Sequence, residues 1–395
     1  MSNHSGVVLR ILHVTREATS DTRYGIRKSF WPVAEVLKSR GHVVDVVDQN
    51  SVAGVAPGSV AKFLERTYLH ALRRRYGQHS ELYLQFVRER IEVCWSAAQL
   101  VRRSGPAHVH CHDPLLGYIY DFFARILRLE GRWGYSLHSF GRYVQQREGI
   151  ALPARVAVHL QSWESTAAGR AAWIVSPSRS GLEQMAWDLG VNTIPDCWHV
   201  VPHPRPICSP AVAVDIRKEF DIGNNVLLLA VGQLIPIKRF GLLLQAVARL
   251  PHGQQPHIII LGEGPEEGAL RSLAEQLGIG MRLHITATSR IADYLAAADI
   301  YVSTSSTESY GMANCEALAA GLPSICCAVG AVPEVVADGA CMTGETVEEI
   351  SRHLSRLIAS PEERNQLRDK ALARAAWWWS AERVADAMED IYAAN

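Results

Sequence analysis

At 395 residues, with 48% apolar and 20% charged side chains, the chain has the composition of a folded protein of two domains, not of a disordered, collagenous or fibrous one. Its 40 Lys/Arg balance 40 Asp/Glu, which argues against a globally basic nucleic-acid binder. The balance is uneven, since residues 1–205 carry 25 Lys/Arg against 17 Asp/Glu and residues 206–395 carry 15 against 23. The opening MSNHSGVVLRILHV does not read as a signal peptide, because Arg10 and His13 interrupt its apolar run. No apolar stretch approaches the roughly 18 residues of a membrane span. The 8 cysteines form no C-x-x-C pair and read as reduced thiols of a cytosolic protein, several of them buried as small hydrophobes.

Val7–Val14 reads as a first strand, Ser29–Arg40 as a helix stopped by Gly41, and Val43–Asp48 as a second strand. His108–His112, Arg132–His138 and Ala172–Val175 read as buried strands between helical stretches. The alternation pauses in VVPHPRPICSP, residues 200–210, whose prolines deny both helix and central strand and mark a linker. It then restarts. Val226–Val231, His257–Leu261, Arg282–Thr286, Ile300–Ser303 and Ser324–Ala328 read as strands, with helices at Arg239–Leu250, Glu266–Leu277, Ile291–Ala297 and Met312–Ala320 between them. Long helical segments over 346–395 close the chain, and no short-period repeat is visible. This pattern predicts an α/β fold of two doubly wound, Rossmann-like domains, with the carboxyl ends of their strands facing each other across a cleft.

The most informative stretch is TSSTESYGMANCEALAAGLPSICCAVGAVPEVV, residues 304–336, which follows a strand and opens a helix. Gly311 and its neighbours sit where the first helical N–H groups are unpaired and the helix dipole favours an anion. Glu308 precedes the helix and Glu316 lies about one turn inside it. Carboxylates accept hydrogen bonds from vicinal diols, so an anion site framed by two of them describes a nucleotide sugar. A solvated Glu308 and a capping Glu316 fit the spacing equally well.

The same stretch resembles the E-x7-E signature of family 4 glycosyltransferases, enzymes of GT-B fold. Glu308, Tyr310-Gly311, Glu316, then Ala317 to Pro323 and Pro333-Glu334 follow in the family's order. The resemblance implies that Glu316 holds the ribose hydroxyls, Glu308 the donor sugar, and the backbone at Gly311, Met312 and Ala313 the diphosphate. VGQLIPIKRF, residues 231–240, is similar to the family's G-R-L-x-x-x-K, whose Arg and Lys grip the diphosphate. Lys238 is in register, but Gln233 stands at the arginine position, and an amide supplies no charge. Either Arg239 or a residue of the first domain compensates, or donor affinity is lower. LGEGPEEGAL, residues 261–270, resembles the turn near the base, represented by Glu263 and Gly264. YSLHSFGRY, residues 135–143, resembles the segment whose histidine contacts the donor sugar, here His138. The loop after the first strand carries paired glycines in the family; here TREATSDTRYGIRKSF offers only Gly25.

The resemblance implies a donor-binding second domain over 206–375, an acceptor-binding first domain over 1–205, and a C-terminal helix over 376–395 that crosses back to the first. It implies transfer of a hexose-type sugar from a nucleotide-diphosphate sugar to a glycan, lipid-linked or small-molecule acceptor, with retention of configuration, in glycan or glycoconjugate biosynthesis. No cofactor beyond the donor is called for. The chain has no Asp-x-Asp, the motif with which the other major glycosyltransferase fold holds a divalent metal, so the chemistry expected is metal-independent. His110 and His112 in HVHCHDP point the same way on one strand, but no further zinc ligand is evident and they read as core or cleft lining. The basic amphipathic segment 61–90, with Arg73-Arg74-Arg75, fits either docking on the cytoplasmic face of an anionic membrane or a solvated or acceptor-site wall. A nucleotide-sugar 2-epimerase of the same fold, and an inactive nucleotide-sugar-binding subunit, stand as alternatives to the transferase.

Overall fold

The computed structural model describes residues 7–19, 25–52, 70, 74, 77, 80–143, 154–207 and 215–395. Contacts divide the chain into two units, Met1–Pro204 with Ser380–Asn395, and Arg205–Trp379. In the first, β1 (Arg10–Val14) leads through α1 (Gly25–Ser39) to β2 (Val43–Val47), and α2 (Gln49–Val52) and α3 (Ser80–Ser104) lead on to β3 (His108–Cys111). Then follow α4 (Pro114–Leu127), β4 (Trp133–Ser136), α5 (Ala154–Arg170), β5 (Ile174–Ser176), α6 (Arg179–Leu189) and β6 (Trp198–Val200). Among the described residues the six strands form a parallel sheet in the order β2-β1-β3-β4-β5-β6. The order reverses at β1 and β3, so the carboxyl ends of these two strands mark the topological switch point where doubly wound sheets hold ligands.

Local chemistry explains how the β3–α4 turn is held. Asp113 accepts from the Leu116 N–H at 2.7 Å as the N-cap of α4, and Pro114 follows at the first helical position. The same carboxylate accepts from Arg90 Nε at 3.2 Å and Nη2 at 3.1 Å, and Nη2 also donates to the Tyr143 hydroxyl at 2.7 Å. Arg90, on α3, is wholly buried, so one ion pair locks α3 to the turn that carries His112. The strands β1, β4 and β5 are shifted or shorter than the expected Val7–Val14, Arg132–His138 and Ala172–Val175, and two further differences concern α1 and β6. The helix expected from Ser29 begins at Gly25, which moves Pro32 from the first turn into the interior, where it cannot donate to the residue one turn back. The short edge strand β6 was not anticipated; it runs into Val201, where the proline-rich stretch takes over without regular structure up to Ile207.

In the second unit α7 (Ile216–Glu219) precedes β7 (Leu227–Val231), α8 (Phe240–Ala248), β8 (His257–Leu261), α9 (Glu267–Gln276) and β9 (Leu283–Thr286). There follow α10 (Ile291–Ala297), β10 (Ile300–Ser303), α11 (Met312–Ala319), β11 (Ser324–Cys327), α12 (Val332–Val336) and β12 (Cys341–Thr343), then α13 (Val347–Ala359) and α14 (Pro361–Ala376). The strands again pair in parallel, in the order β12-β11-β10-β7-β8-β9. Leu227 to Ala230 and Ile258 to Ile260 have no exposure at all, as expected for central strands covered by helices on both faces. The helical region at the end of the chain is broken by serines. Ser360 both ends α13 and caps α14, and Ser380 caps the last helix, α15 (Ala381–Ala393).

Helix α15 packs on α1 in the first unit. Arg40 pairs with Asp386 at 2.8 Å and Glu389 at 3.0 Å, and His42 lies 3.0 Å from Glu389. Seven cysteines among the described residues are free, Cys94, Cys111, Cys315, Cys326 and Cys327 of them buried. Among the described residues no helix is long and apolar enough to cross a membrane. Most of the basic segment 61–90, including Arg73 and Arg75, lies outside the described residues.

Candidate functional site

The second unit gathers the motif residues at the carboxyl ends of β7 and β10. After β7 the chain passes through Gly232 and the exposed Gln233 to a 3-10 turn, Pro236–Lys238. After β10 it passes through Thr304, Ser305 and Ser306 to Glu308. Hydrogen bonds zip the two loops together. The Ser306 N–H donates to the Ile237 carbonyl at 2.8 Å, and Thr304 Oγ1 donates to the Lys238 carbonyl at 2.9 Å. Across this seam Lys238 Nζ lies 2.6 Å from Glu308 Oε1, which also accepts from Ser305 Oγ at 2.8 Å. Lys238 and Glu308 remain 23% and 15% exposed, so the pair is open to a ligand.

Gly311 caps α11 in a left-handed conformation, φ 77°, with no side-chain capping bond. A Cβ there would stand 2.7 Å from the Asn314 amide nitrogen, so glycine is required on both backbone and steric grounds. The arrangement leaves the N–H groups of Met312 and Ala313 at the helix start, where an anion is favoured. Tyr310, next to it, is buried, and burial pushes its phenol up. Glu316 stands about one turn into α11 and is partly exposed. Glu263 and Gly264 are exposed on the neighbouring loop after β8, where the Leu234 N–H donates to the Glu263 carbonyl at 2.9 Å. A Cβ at Gly264 would meet the Leu234 carbonyl oxygen at 2.5 Å, so this glycine lets the loops after β7 and β8 touch.

Arg239 is differently placed from Lys238. Its Nε donates to the Thr304 carbonyl and its Nη2 to the Ser305 carbonyl, both at 2.8 Å, while Nη1 pairs with Glu345. The residue also sits in the left-handed region, φ 48°, a conformation unfavourable for an L residue with a Cβ that these bonds hold in place. Each guanidinium nitrogen is therefore engaged within the unit. Ser305 and Thr304, which organise the seam, carry no signal in the sequence beyond their place directly after a strand.

The remaining expected residues lie in the first unit. Gly25 opens α1, and residues 20–24 before it lie outside the described residues. His138 follows β4 and joins a group of histidines at the strand ends. His112 Nε2 lies 3.1 Å from His13 Nδ1, and His112 Nδ1 lies 3.1 Å from His138 Nε2. His203 stacks on His138 with ring centres 5.6 Å apart. With His110 and Phe30 these rings border a cavity of about 50 Å³, the scale of a few water molecules. His110 is held apart from the row: Trp173 Nε1 donates to its Nδ1 at 3.3 Å, and its Nε2 lies 2.7 Å from Ser136 Oγ. Among the described residues no three His, Cys, Asp or Glu are placed to hold a metal ion.

Burial lowers the pKa of both His13 and His138 to about 4. In the unfolded chain each would titrate near 6.5, so between about pH 4 and 6.5 the unfolded state binds more protons and stability rises with pH. Urea unfolding monitored by circular dichroism should therefore give a lower midpoint at pH 5 than at pH 7.5. A midpoint that does not move would show that the rings titrate freely.

Residues 214–374 match the family model described as glycosyl transferases group 1, and the second unit is of that family. Over 247 residues the chain is 34% identical to D-inositol 3-phosphate glycosyltransferase of Mycobacterium bovis, covering 54% of this chain and 50% of that protein. Over 230 residues it is 28% identical to MMP alpha-(1->4)-mannosyltransferase of Mycolicibacterium hassiacum, covering 55% of this chain and 53% of that protein. The chain thus spans about half the length of the curated relatives it matches. Anabaena Alr3699/HepE in complex with UDP-glucose superposes with a TM-score of 0.70 over 98% of this chain and all of that one, at 15% identity. At that identity the likeness is one of fold, and the fold is GT-B.

Proposed function

We propose that the protein transfers a hexose-type sugar from a nucleotide-diphosphate sugar to an acceptor hydroxyl, with retention of configuration, in glycan or glycoconjugate biosynthesis. The observation that carries this reading is the Lys238–Glu308 pair, 2.6 Å apart, beside the uncapped start of α11. Breaking a sugar–diphosphate bond places negative charge on the leaving group and positive character on the sugar. A cation and helix N–H groups meet the first, and a carboxylate among hydroxyl donors holds the second. Glu316, one turn further on, is placed for ribose hydroxyls in this reading, and Glu263 with Gly264 for the base. Arg239 braces the loops, and Gln233 brings no charge, so Lys238 is the residue of this seam that faces the diphosphate. Retention follows from attack on the face the leaving group departs from, with the leaving phosphate taking the acceptor's proton. The excess of cations over anions in residues 1–205, 25 against 17, supports an anionic acceptor.

The structural neighbour bound to UDP-glucose sets the starting point for a test. The full chain is incubated with UDP-glucose, UDP-galactose, UDP-N-acetylglucosamine, GDP-glucose and GDP-mannose, with water alone and with acceptor fractions from cells, and the products are read by mass spectrometry. Released nucleotide diphosphate with one or more donors is the expected result. A changed sugar still attached to its nucleotide would establish the epimerase instead, and binding without turnover an inactive subunit.

A further inference from the structure

The row His13–His112–His138 has a property that no single ring has. Each of its two links is an N···N contact of 3.1 Å, and between neutral imidazoles such a contact holds one proton. A ring that accepts on one nitrogen must carry its proton on the other. Two settings alone satisfy both links: protons on Nδ1 in all three rings, or on Nε2 in all three. The rings cannot be set one by one. Burial, which lowers the pKa of all three, keeps them neutral at physiological pH.

The buried end of the row selects between the settings. His13 is 5% exposed, stacked on Phe30 at 5.0 Å, and its Nε2 is buried without a partner. A proton on that nitrogen would be an orphaned buried donor, which is rarer and costlier than an unused lone pair. The protons therefore sit on Nδ1 throughout. At the other end, His138 is partly exposed, and its Nδ1 has no hydrogen-bond partner among the described residues.

We propose that His112 and His13 are positioning residues that hold His138 as a neutral Nδ1–H donor, ready for a hydroxyl or phosphoryl oxygen of the nucleotide sugar. This rests on the reading of His138 as a donor-sugar contact. It makes His138 a hydrogen-bond donor and not a base, a choice that the ring alone leaves open.

Two substitutions at one position separate the links. His112→Asn places an amide N–H where Nδ1 stood and can still donate to His138. His112→Gln places its amide where Nε2 stood, keeping the contact with His13 and releasing His138. In full-length protein labelled with 15N-histidine, long-range proton–nitrogen spectra report the tautomer of each ring. His138 should be Nδ1–H in the wild type and in His112→Asn, and should lose that single state in His112→Gln. Turnover of UDP-glucose, or of the donor the panel selects, should fall roughly 10- to 100-fold in His112→Gln, the scale known for partners that orient a metal-bound imidazole, and stay near wild type in His112→Asn. An Nε2–H His138 in the wild type, or an unchanged tautomer in His112→Gln, overturns the proposal. A tautomer released in His112→Gln with turnover intact would support the row and refute the donor-contact reading of His138.

Discussion

Replacing Lys238 with alanine is expected to lower donor turnover by about 100-fold or more, the usual cost of removing one group that meets charge developing on a leaving oxygen. No other cation replaces it within the seam, because Arg239 is tied to Thr304, Ser305 and Glu345 and the residue at position 233 is Gln. Glu308→Gln should lose a comparable amount, since the amide keeps the size but cannot stabilise positive character on the sugar. Neither change should unfold the protein. The pair is 23% and 15% exposed, so water reaches the group left behind, and Ser305 Oγ still donates to the carboxylate of Glu308 when Lys238 is removed. The measurement is nucleotide release in steady state, with thermal melts as the control. Near-normal turnover in both variants, with melts unchanged, would refute the site.

The largest stability effect is expected at Arg90. Its side chain has no exposure, and Asp113 is 4% exposed, so Arg90→Met leaves a carboxylate buried without its cation. Removing one member of such a pair typically costs about 3–5 kcal/mol. For a unit of this size that is roughly 10 °C or more in Tm. Asp113→Ala should cost at least as much, because it also removes the cap of α4 from the Leu116 N–H. The double variant Arg90→Met/Asp113→Ala should be less unstable than the two losses added, since no charge is then left unpaired. Calorimetry of the four proteins closes this cycle, and strict additivity would show that the two groups act independently. Because Asp113 follows His112 directly, the single variants should also disturb the histidine row.

Much of the fold is legible from local pattern. Ile291–Ala297 and Ile300–Ser303 occupy the bounds that apolar periodicity assigns them, and the central strands β7 and β8 read as unbroken apolar runs because both faces are covered. β6, β12 and α12 escape this reading, since three to five residues show no period and none of them is an unbroken apolar run. The E-x7-E stretch is legible for a related reason. Glu308, Gly311 and Glu316 lie within one strand–loop–helix segment, so their spacing along the chain is close to their spacing in space.

Legibility thus follows nearness along the chain: the longer alternating elements, the parallel class of sheet and the Glu308–Glu316 segment can all be read from local pattern. What joins distant segments is set by the packing of the folded chain. Lys238 meets Glu308 across 70 residues and Arg239 reaches the Thr304 carbonyl across 65, which turns two adjacent cations into one that is open and one that is engaged. His13 and His112 lie 99 residues apart, His112 and His138 only 26, yet both pairs stand at the same 3.1 Å. Parallel pairing brings the carboxyl ends of β1, β3 and β4 side by side, and it is this adjacency, absent from any local window, that makes three scattered imidazoles a single row.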